Sequence, residues 1–411
     1  MSQTVASSLA GRMGFREFVA LMAALMAVNA LSIDAMLPVL PQIGATLGLA
    51  TENEQQWVIT AYLLGFGGAQ LVYGPLADHF GRKPVLLGGL AAFAGFTVLA
   101  GFASSLGMMI AGRALAGVGA AATRVLAITI IRDFYSGRTM ARVMSLTFIV
   151  FLAAPIVAPT LGQAIALVAP WQWIFAALSA FGAAIAIWTW RRMPESLHPE
   201  DRRAITPAGV LEGFRLVLSS RVAVGYTLAL TVMLGALFGF INSVQQVFAD
   251  ALGAPVLMPG IFALVAGWMA VASFLNSRIV ERIGTRRVSH LALLGFIAVA
   301  VVHSLVALDG PESVWTFAAL QSAMMFCFGL VGANFNSIAM EPLGHLAGTA
   351  SSVIGFVTTV GGALIGFYVG QRFDGTLVPL TVGFVVCGVA GLAIVTVTER
   401  GRLFRPASAT A

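Results

Sequence analysis

"GPLADHFGRKPVLL", residues 74–87, sets Asp78, His79, Arg82 and Lys83 between two long apolar stretches, with Gly74 and Gly81 on either side of the acid. Such a cluster is either a topological marker or a working part, and its surroundings decide between the two. On its N-terminal side 57–73 is apolar, and on its C-terminal side so is 85–102. Each is about the length needed to cross a ~30 Å hydrocarbon core as a helix. The pattern recurs along all 411 residues, of which 59% are hydrophobic and 10% charged. Soluble domains carry roughly 25% charged residues, so a surface this poor in charge must face lipid. Alternating strands of about ten residues, as in outer-membrane barrels, are not the pattern here. The chain reads as an all-α polytopic membrane protein.

Twelve spans are expected, at 18–37, 57–73, 85–102, 108–131, 143–169, 173–190, 222–242, 256–276, 288–308, 314–334, 349–370 and 377–398. An even number puts both termini on one side. Of the 23 Lys and Arg residues, 20 fall in the two tails and in alternate loops, while Arg113 and Arg124 lie within a span and Arg372 in an opposite loop. Short cytoplasmic loops hold the excess of Lys and Arg, so both termini and the 74–87 stretch are expected in the cytoplasm of a cell whose inner membrane holds the chain. The opposite loops contain Glu52, Glu54, Asp250, Asp309, Glu312 and Asp374. The net charge of +6 therefore serves topology and anionic lipid, and no nucleic-acid partner is expected.

The first apolar run lacks a small-residue cleavage site after it and reads as a retained helix. Cys327 and Cys387 both sit in apolar runs, which excludes a disulfide framework. His79, His198, His290, His303 and His345 are scattered without metal spacing, so neither a metal, a cofactor nor an enzyme is expected. The longest polar segment, 191–221, divides a six-span bundle at 1–190 from a second at 222–398, with a cytoplasmic tail at 399–411. Sliding the sequence on itself by 203 residues sets "SRIVERIGTRR" (277–287) under "GPLADHFGRKP" (74–84), with Gly284 under Gly81, Glu281 under Asp78 and Arg286 under Lys83. Two repeated six-helix halves are a transporter architecture.

On these residues the chain resembles the major facilitator superfamily. "GPLADHFGRK" is similar to its 2–3 loop motif at Gly74, Leu76, Ala77, Asp78, Gly81, Arg82, Lys83 and Leu86, and departs from it at His79. "IDAMLPVLP" (33–41), "GRALAGVGAAATRVLAITIIRDFY" (112–135), "APIVAPTLGQ" (154–163) and "GHLAGTASSVIG" (344–355) resemble the drug:proton antiporters, in particular the bicyclomycin- and chloramphenicol-resistance branch. The resemblance implies a conformational latch of Gly74, Asp78, Gly81, Arg82, Lys83 and Asp133, with Asp78 against the start of span 11 near Thr349 and Arg82 on Asp133. The other reading of the same residues is topology alone. Apart from the family, Gly74 and Gly81 permit tight turns.

Ionisable groups inside a bilayer cost several kcal/mol unless paired or wet, and mark function by default. Asp34, Arg113 and Arg124 are such groups. At 1.5 Å per residue, Asp34 lies ~27 Å along its helix from Arg16, and Arg113 ~28 Å from Arg132. The two are expected at similar depth, as the proton-coupling pair; the resemblance assigns Arg113 to assisting proton transfer. The alternative is that Asp34 ends span 1 near Pro38 and faces water. Arg113, Gly117, Ala120 and Arg124 share one face of span 4, which either lines a cavity or allows close packing. Arg124 lines that cavity or snorkels to the inner interface. Pro155, Pro159 and Gly162 mark a hinge in span 5, where the antiporter motif is matched only in part.

The second half shows no charged residue deep in any span, so its share of a substrate cavity is read as polar and aromatic. The cavity residues expected are Asn29, Tyr62, Gln70, Arg124, Asn242, Gln245, Asn334 and Asn336. The function expected is proton-coupled efflux of amphipathic small molecules, such as antibiotics, by alternating access in a monomer. Two alternatives stand beside it: proton-linked uptake or exchange of a physiological solute, and a non-transporting receptor or scaffold.

Overall fold

The computed structural model describes residues 13–202 and 217–404, together with 211, 214 and 215. The chain divides into two compact units, Met1–Leu211 and Glu212–Ala411. No strand occurs among the described residues. The first unit contains α1 (Phe15–Asp34), α2 (Trp57–Phe80), α3 (Arg82–Gly101), α4 (Leu106–Phe134), α5 (Gly137–Val168) and α6 (Gln172–Arg192). The second contains α7 (Arg221–Gln246), α8 (Met258–Ile283), α9 (Thr285–Asp309), α10 (Val314–Met340), α11 (Ala347–Gly370) and α12 (Val378–Thr398). Each has at least 20 residues, about 30 Å of helix. Ten of them are long and apolar enough by composition to cross a membrane, and Ala153–Val168 within α5 is a shorter apolar helix. In α2 the hydropathy is diluted by Tyr62, Gln70, Tyr73 and glycines, and those three polar side chains are buried within the first unit. The protein is an all-α multi-pass membrane protein.

Each unit is wired in the same way. In the first, α1 packs on α5, α4 and α6, while α2 and α3 pack on α4, and α3 on α6. In the second, α7 packs on α11, α10 and α12, while α8 and α9 pack on α10, and α9 on α12. The pairings coincide when six is added to each helix number, which is the structural form of the repeat in the sequence. Small residues make such packing close. A Cβ at Gly117 would fall on the Tyr62 carbonyl oxygen of α2, and one at Gly162 on the Ala35 carbonyl oxygen just beyond α1. Ala27, Ala30 and Ala154 form an apolar seam between α1 and α5, covered by Leu31 and Phe181.

Where residues 74–84 read as a loop, the structure corrects the reading. α2 runs through Gly74 and Pro75 to Phe80, and α3 begins at Arg82. Pro75 withholds one backbone donor, yet the helix continues past it, so Gly74 makes no turn. The whole reversal rests on Gly81, at φ +102 and ψ +156, a region open in practice to glycine alone. Gly284 does the same between α8 and α9, at φ +89 and ψ +147.

Candidate functional site

Asp34 is the last residue of α1. The regular helix stops there because Pro38, which should donate to the Asp34 carbonyl, has no N–H. The chain passes through a tight turn at Leu37–Val39 into a short helix, Leu40–Leu47. Asp34 thus ends its helix, as one reading of the sequence held, and is nearly enclosed there, with only 4% of the residue exposed. Its carboxylate makes no hydrogen bond or ion pair with another described residue. Immediately beyond it, the Ala35 backbone is the surface on which Gly162 of α5 rests.

Arg113 is wholly buried in α4. Ser105 caps that helix, its hydroxyl accepting from the Met108 N–H at 3.3 Å. The Arg113 guanidinium donates from Nε to the Val58 carbonyl of α2 at 2.8 Å and from Nη2 to the Ser32 carbonyl of α1 at 2.9 Å. It lies 4.5 Å from the centre of the Tyr62 ring, within cation–π range, and Nη1 has no hydrogen-bond partner among the described residues. Asp34 and Arg113 are therefore near in register, through Ser32, without forming an ion pair. Arg113 instead ties α1, α2 and α4 together through two backbone carbonyl oxygens.

A second polar strand crosses the same three helices. Tyr62 donates to Asn29 Oδ1 at 3.1 Å, Asn29 Nδ2 donates to the Thr123 hydroxyl at 3.2 Å, and Thr123 donates to the Ala120 carbonyl at 2.8 Å. Gln70 is buried in α2. Arg124, one turn beyond Ala120, is exposed, and its guanidinium lies 6.0 Å from the Phe66 ring. In the second unit Asn242 and Gln245 are buried at the end of α7, next to a π-helical turn at Val247–Ala251. Asn334 is occupied by packing, since its Nδ2 donates to Asn276 Oδ1 of α8 and to the Leu330 carbonyl, each at 2.7 Å. Asn336 is exposed. Pro155 and Pro159 both lie inside α5, which runs unbroken from Gly137 to Val168.

At the α2–α3 corner, Arg82 is buried and its Nη1 lies 2.6 Å from Asp78 Oδ1. Its Nε donates to Asp133 Oδ2 at 3.3 Å. Asp133 also accepts from the Ser196 hydroxyl at 2.7 Å. Lys83 Nζ donates to the Trp190 carbonyl of α6 at 2.8 Å. Sequence reasoning missed Glu195, whose carboxylate accepts from the backbone N–H groups of Arg82 at 2.9 Å and Lys83 at 3.1 Å. These are the free donors at the start of α3, where a carboxylate is favoured. The Thr349 side chain lies outside the described residues.

The second unit answers with a related corner. Arg286 Nη1 donates to Glu341 Oε2 at 3.0 Å, and Nε to Glu399 Oε1 at 2.9 Å. Glu341 follows α10 and Glu399 follows α12, as Asp133 lies at the end of α4 and Glu195 after α6. The base has moved by one place, however. The arginine that reaches the acids directly follows Gly81 in one unit and stands second after Gly284 in the other. Glu399 also accepts from the Tyr226 hydroxyl at 2.8 Å, which lies 2.8 Å from His290 Nε2; His290 Nδ1 accepts from the Phe404 N–H at 3.1 Å.

A family model described as Major Facilitator Superfamily matches residues 22–367. The chain is 30% identical over 371 residues to the bicyclomycin resistance protein homolog of Haemophilus influenzae, covering 90% of this chain and 92% of that one. It is 27% identical over 345 residues to multidrug resistance protein D of Escherichia coli, at 83% and 85% coverage. A solved bacterial homolog of the human lysosomal transporter Spinster, in an inward-facing and occupied conformation, has the same fold. It superimposes with a TM-score of 0.72 at 16% identity, over 95% of this chain and 98% of that one.

Proposed function

The chain belongs to the major facilitator superfamily, and from that membership we propose that it is a proton-driven exporter of amphipathic small molecules. The observation that carries the reading is Asp34: a carboxylate buried in a membrane helix, unpartnered among the described residues. Such a group costs several kcal/mol when charged and dry, so it holds a proton when enclosed and releases it when water reaches it. Arg113 holds the backbone just before it in place through Ser32. Substrate and proton then compete for one site, which is the minimum an antiporter needs. Relatives named for resistance to bicyclomycin and to multiple drugs support drug-like cargo.

The two six-helix halves at 1–190 and 222–398, joined by 191–221, are the parts that alternate access in a monomer. Both termini face the cytoplasm of an inner membrane, in line with the Lys and Arg distribution. On that orientation the Gly81 and Gly284 corners are cytoplasmic, and Asp34 is loaded from the outer side. The latch residues Asp78, Arg82, Lys83 and Asp133, with Gly81, then hold the cytoplasmic end of the first half. Pro155, Pro159 and Gly162 let α5 move against α1. Asn29, Tyr62, Gln70, Arg124, Asn242, Gln245, Asn334 and Asn336 serve the substrate path.

The test uses inverted membrane vesicles energised with lactate and loaded with a pH-sensitive dye, challenged with neutral and cationic hydrophobic drugs. Drug-induced proton release is expected from the wild type and not from Asp34→Asn, with equal amounts of both proteins in the membrane. Equal release from the two would remove Asp34 from the mechanism. No release across the whole panel would turn the reading toward solute uptake.

A further inference from the structure

The second half holds buried charge where its sequence showed none. His303 lies in α9, and Glu312 sits in the short connection between α9 and α10. Neither side chain exposes any surface, and His303 Nε2 lies 3.1 Å from Glu312 Oε2. Glu312 has Pro311 before it and Ser313 after it, and Ser313 caps α10 by accepting from the Thr316 N–H at 3.1 Å. Only its backbone is at the surface; the carboxylate turns inward beneath α10. There the His303 ring meets the Phe317 ring edge to face at 5.6 Å. The outer atoms of the pair, His303 Nδ1 and Glu312 Oε1, are buried without a hydrogen bond to another described residue. The same holds for both amide atoms of Gln321, one turn beyond Phe317 on the same face of α10, and for the Ser304 hydroxyl.

A shared hydrogen bond needs one proton between Nε2 and Oε2. With that proton alone, a neutral imidazole faces a carboxylate and the site carries one negative charge. A second proton, bound at Nδ1 or Oε1, makes the pair neutral overall, either as imidazolium with carboxylate or as imidazole with carboxylic acid. In a dry site the neutral form is strongly preferred, because an uncompensated buried charge is costly. Among the described residues the surroundings offer no compensating charge. From α12 the ionisable group nearest this region is the Cys387 thiol, and the outward half of α8 contributes none. Asp309, Asp250 and Asp374 at this end are exposed, and Arg372 is engaged with Tyr368.

We propose that His303 and Glu312 are a second proton-binding site, which takes one proton from water and returns it to water at the end of the unit where α9 passes into α10. The proton enters and leaves as such, with no bond between heavier atoms made or broken. The site stands on this geometry alone; its use in transport rests on the antiport reading, under which it makes the cycle carry two protons instead of one. His303 is 18 residues beyond Thr285, ~27 Å along α9, the same run that separates Asp34 from Arg16. Each half would then carry one proton site toward the outer face, the first on an isolated acid and the second on a pair.

Proton binding can be measured without any substrate, so a failure here is distinct from a failure of antiport. The full chain in detergent is titrated by glass electrode between about pH 5 and 9, comparing wild type, Asp34→Asn, Glu312→Gln and the double variant His303→Leu/Glu312→Leu. Glu312→Gln is expected to bind about one proton fewer than wild type, and its combination with Asp34→Asn about two fewer. Replacing both members of a buried pair by apolar residues is often neutral or stabilising, so the Leu/Leu variant stands in where Glu312→Gln unfolds, with the same loss expected. His303→Gln should keep the proton, on Glu312, with its uptake moved in pH. Titration curves of Glu312→Gln or the Leu/Leu variant that superimpose on wild type would overturn the proposal.

Discussion

The two units share one wiring and differ in how they compensate buried charge. In the first, Arg113 is wholly enclosed and held by carbonyl oxygens and the face of Tyr62, while the nearby Asp34 is without a partner among the described residues. In the second, Arg286 meets Glu341 and Glu399, as Arg82 meets Asp78 and Asp133 in the first, but the buried acid Glu312 has a partner in His303. The frame is common to both halves. What is unlike between them is the partnering of buried acids, and an unpaired acid responds to water in a way that a doubly paired arginine does not.

The sharpest way to break that contrast is Arg113→Leu. It strands the Ser32 carbonyl at the end of α1 and removes the cation over Tyr62; a stranded buried acceptor costs about 1–3 kcal/mol, and a desolvated cation–π contact about 2 kcal/mol. A loss of about 4 kcal/mol is expected in detergent unfolding, together with loss of proton-driven transport, whereas Arg113→Lys should recover part of the stability. Next come the two corners. Alanine at Gly284 meets open space and suffers only from its φ of +89, about 2 kcal/mol. Alanine at Gly81 carries the same backbone strain and also places Cβ 2.7 Å from Glu195 Oε2. Gly81→Ala should therefore lie about 1 kcal/mol below Gly284→Ala, reflecting the weakened charge-assisted bonds to the start of α3. Equal losses would show that Glu195 does not hold the corner. The smallest effect is expected from Arg287→Ala, whose exposed side chain gives up one bond to the Phe404 carbonyl at 3.1 Å. Its change should stay within about 0.5 kcal/mol.

The helices were legible because each is an apolar run of bilayer length, and the repeat because Gly81 and Gly284 are 203 residues apart in near-identical backbone geometry. What escaped the sequence is instructive. The 74–84 stretch read as a loop, but the single hydrogen bond lost at Pro75 does not end a helix that its neighbours hold, so α2 reaches Phe80. Glu195 and Glu312 stood in polar connections and looked like solvated charge; their burial is decided by helices distant in sequence. Each is the middle of a Pro-Glu-Ser tripeptide beside a membrane helix, and that recurrence was the one signal available. His303 was read only as one of five scattered histidines, because an imidazole inside an apolar run does not count as a charge until its partner is seen. Asp34, by contrast, stood out from composition alone, although its enclosure could not be read there, since Pro38 argued for an exposed helix end.

Glu195 follows α6, and Glu399 follows α12, yet each completes a corner built much earlier in its half. A chain made from its N-terminus inserts α2 and α3 well before the carboxylate that satisfies their junction exists. Until then the amides opening α3 and the guanidinium of Arg286 must be served by water or by lipid headgroups. Biogenesis of each half is thereby tied to its last helix. A chain cut short before residue 195, or before residue 399, is left with an open corner, a mark by which quality control can tell an unfinished half from a finished one.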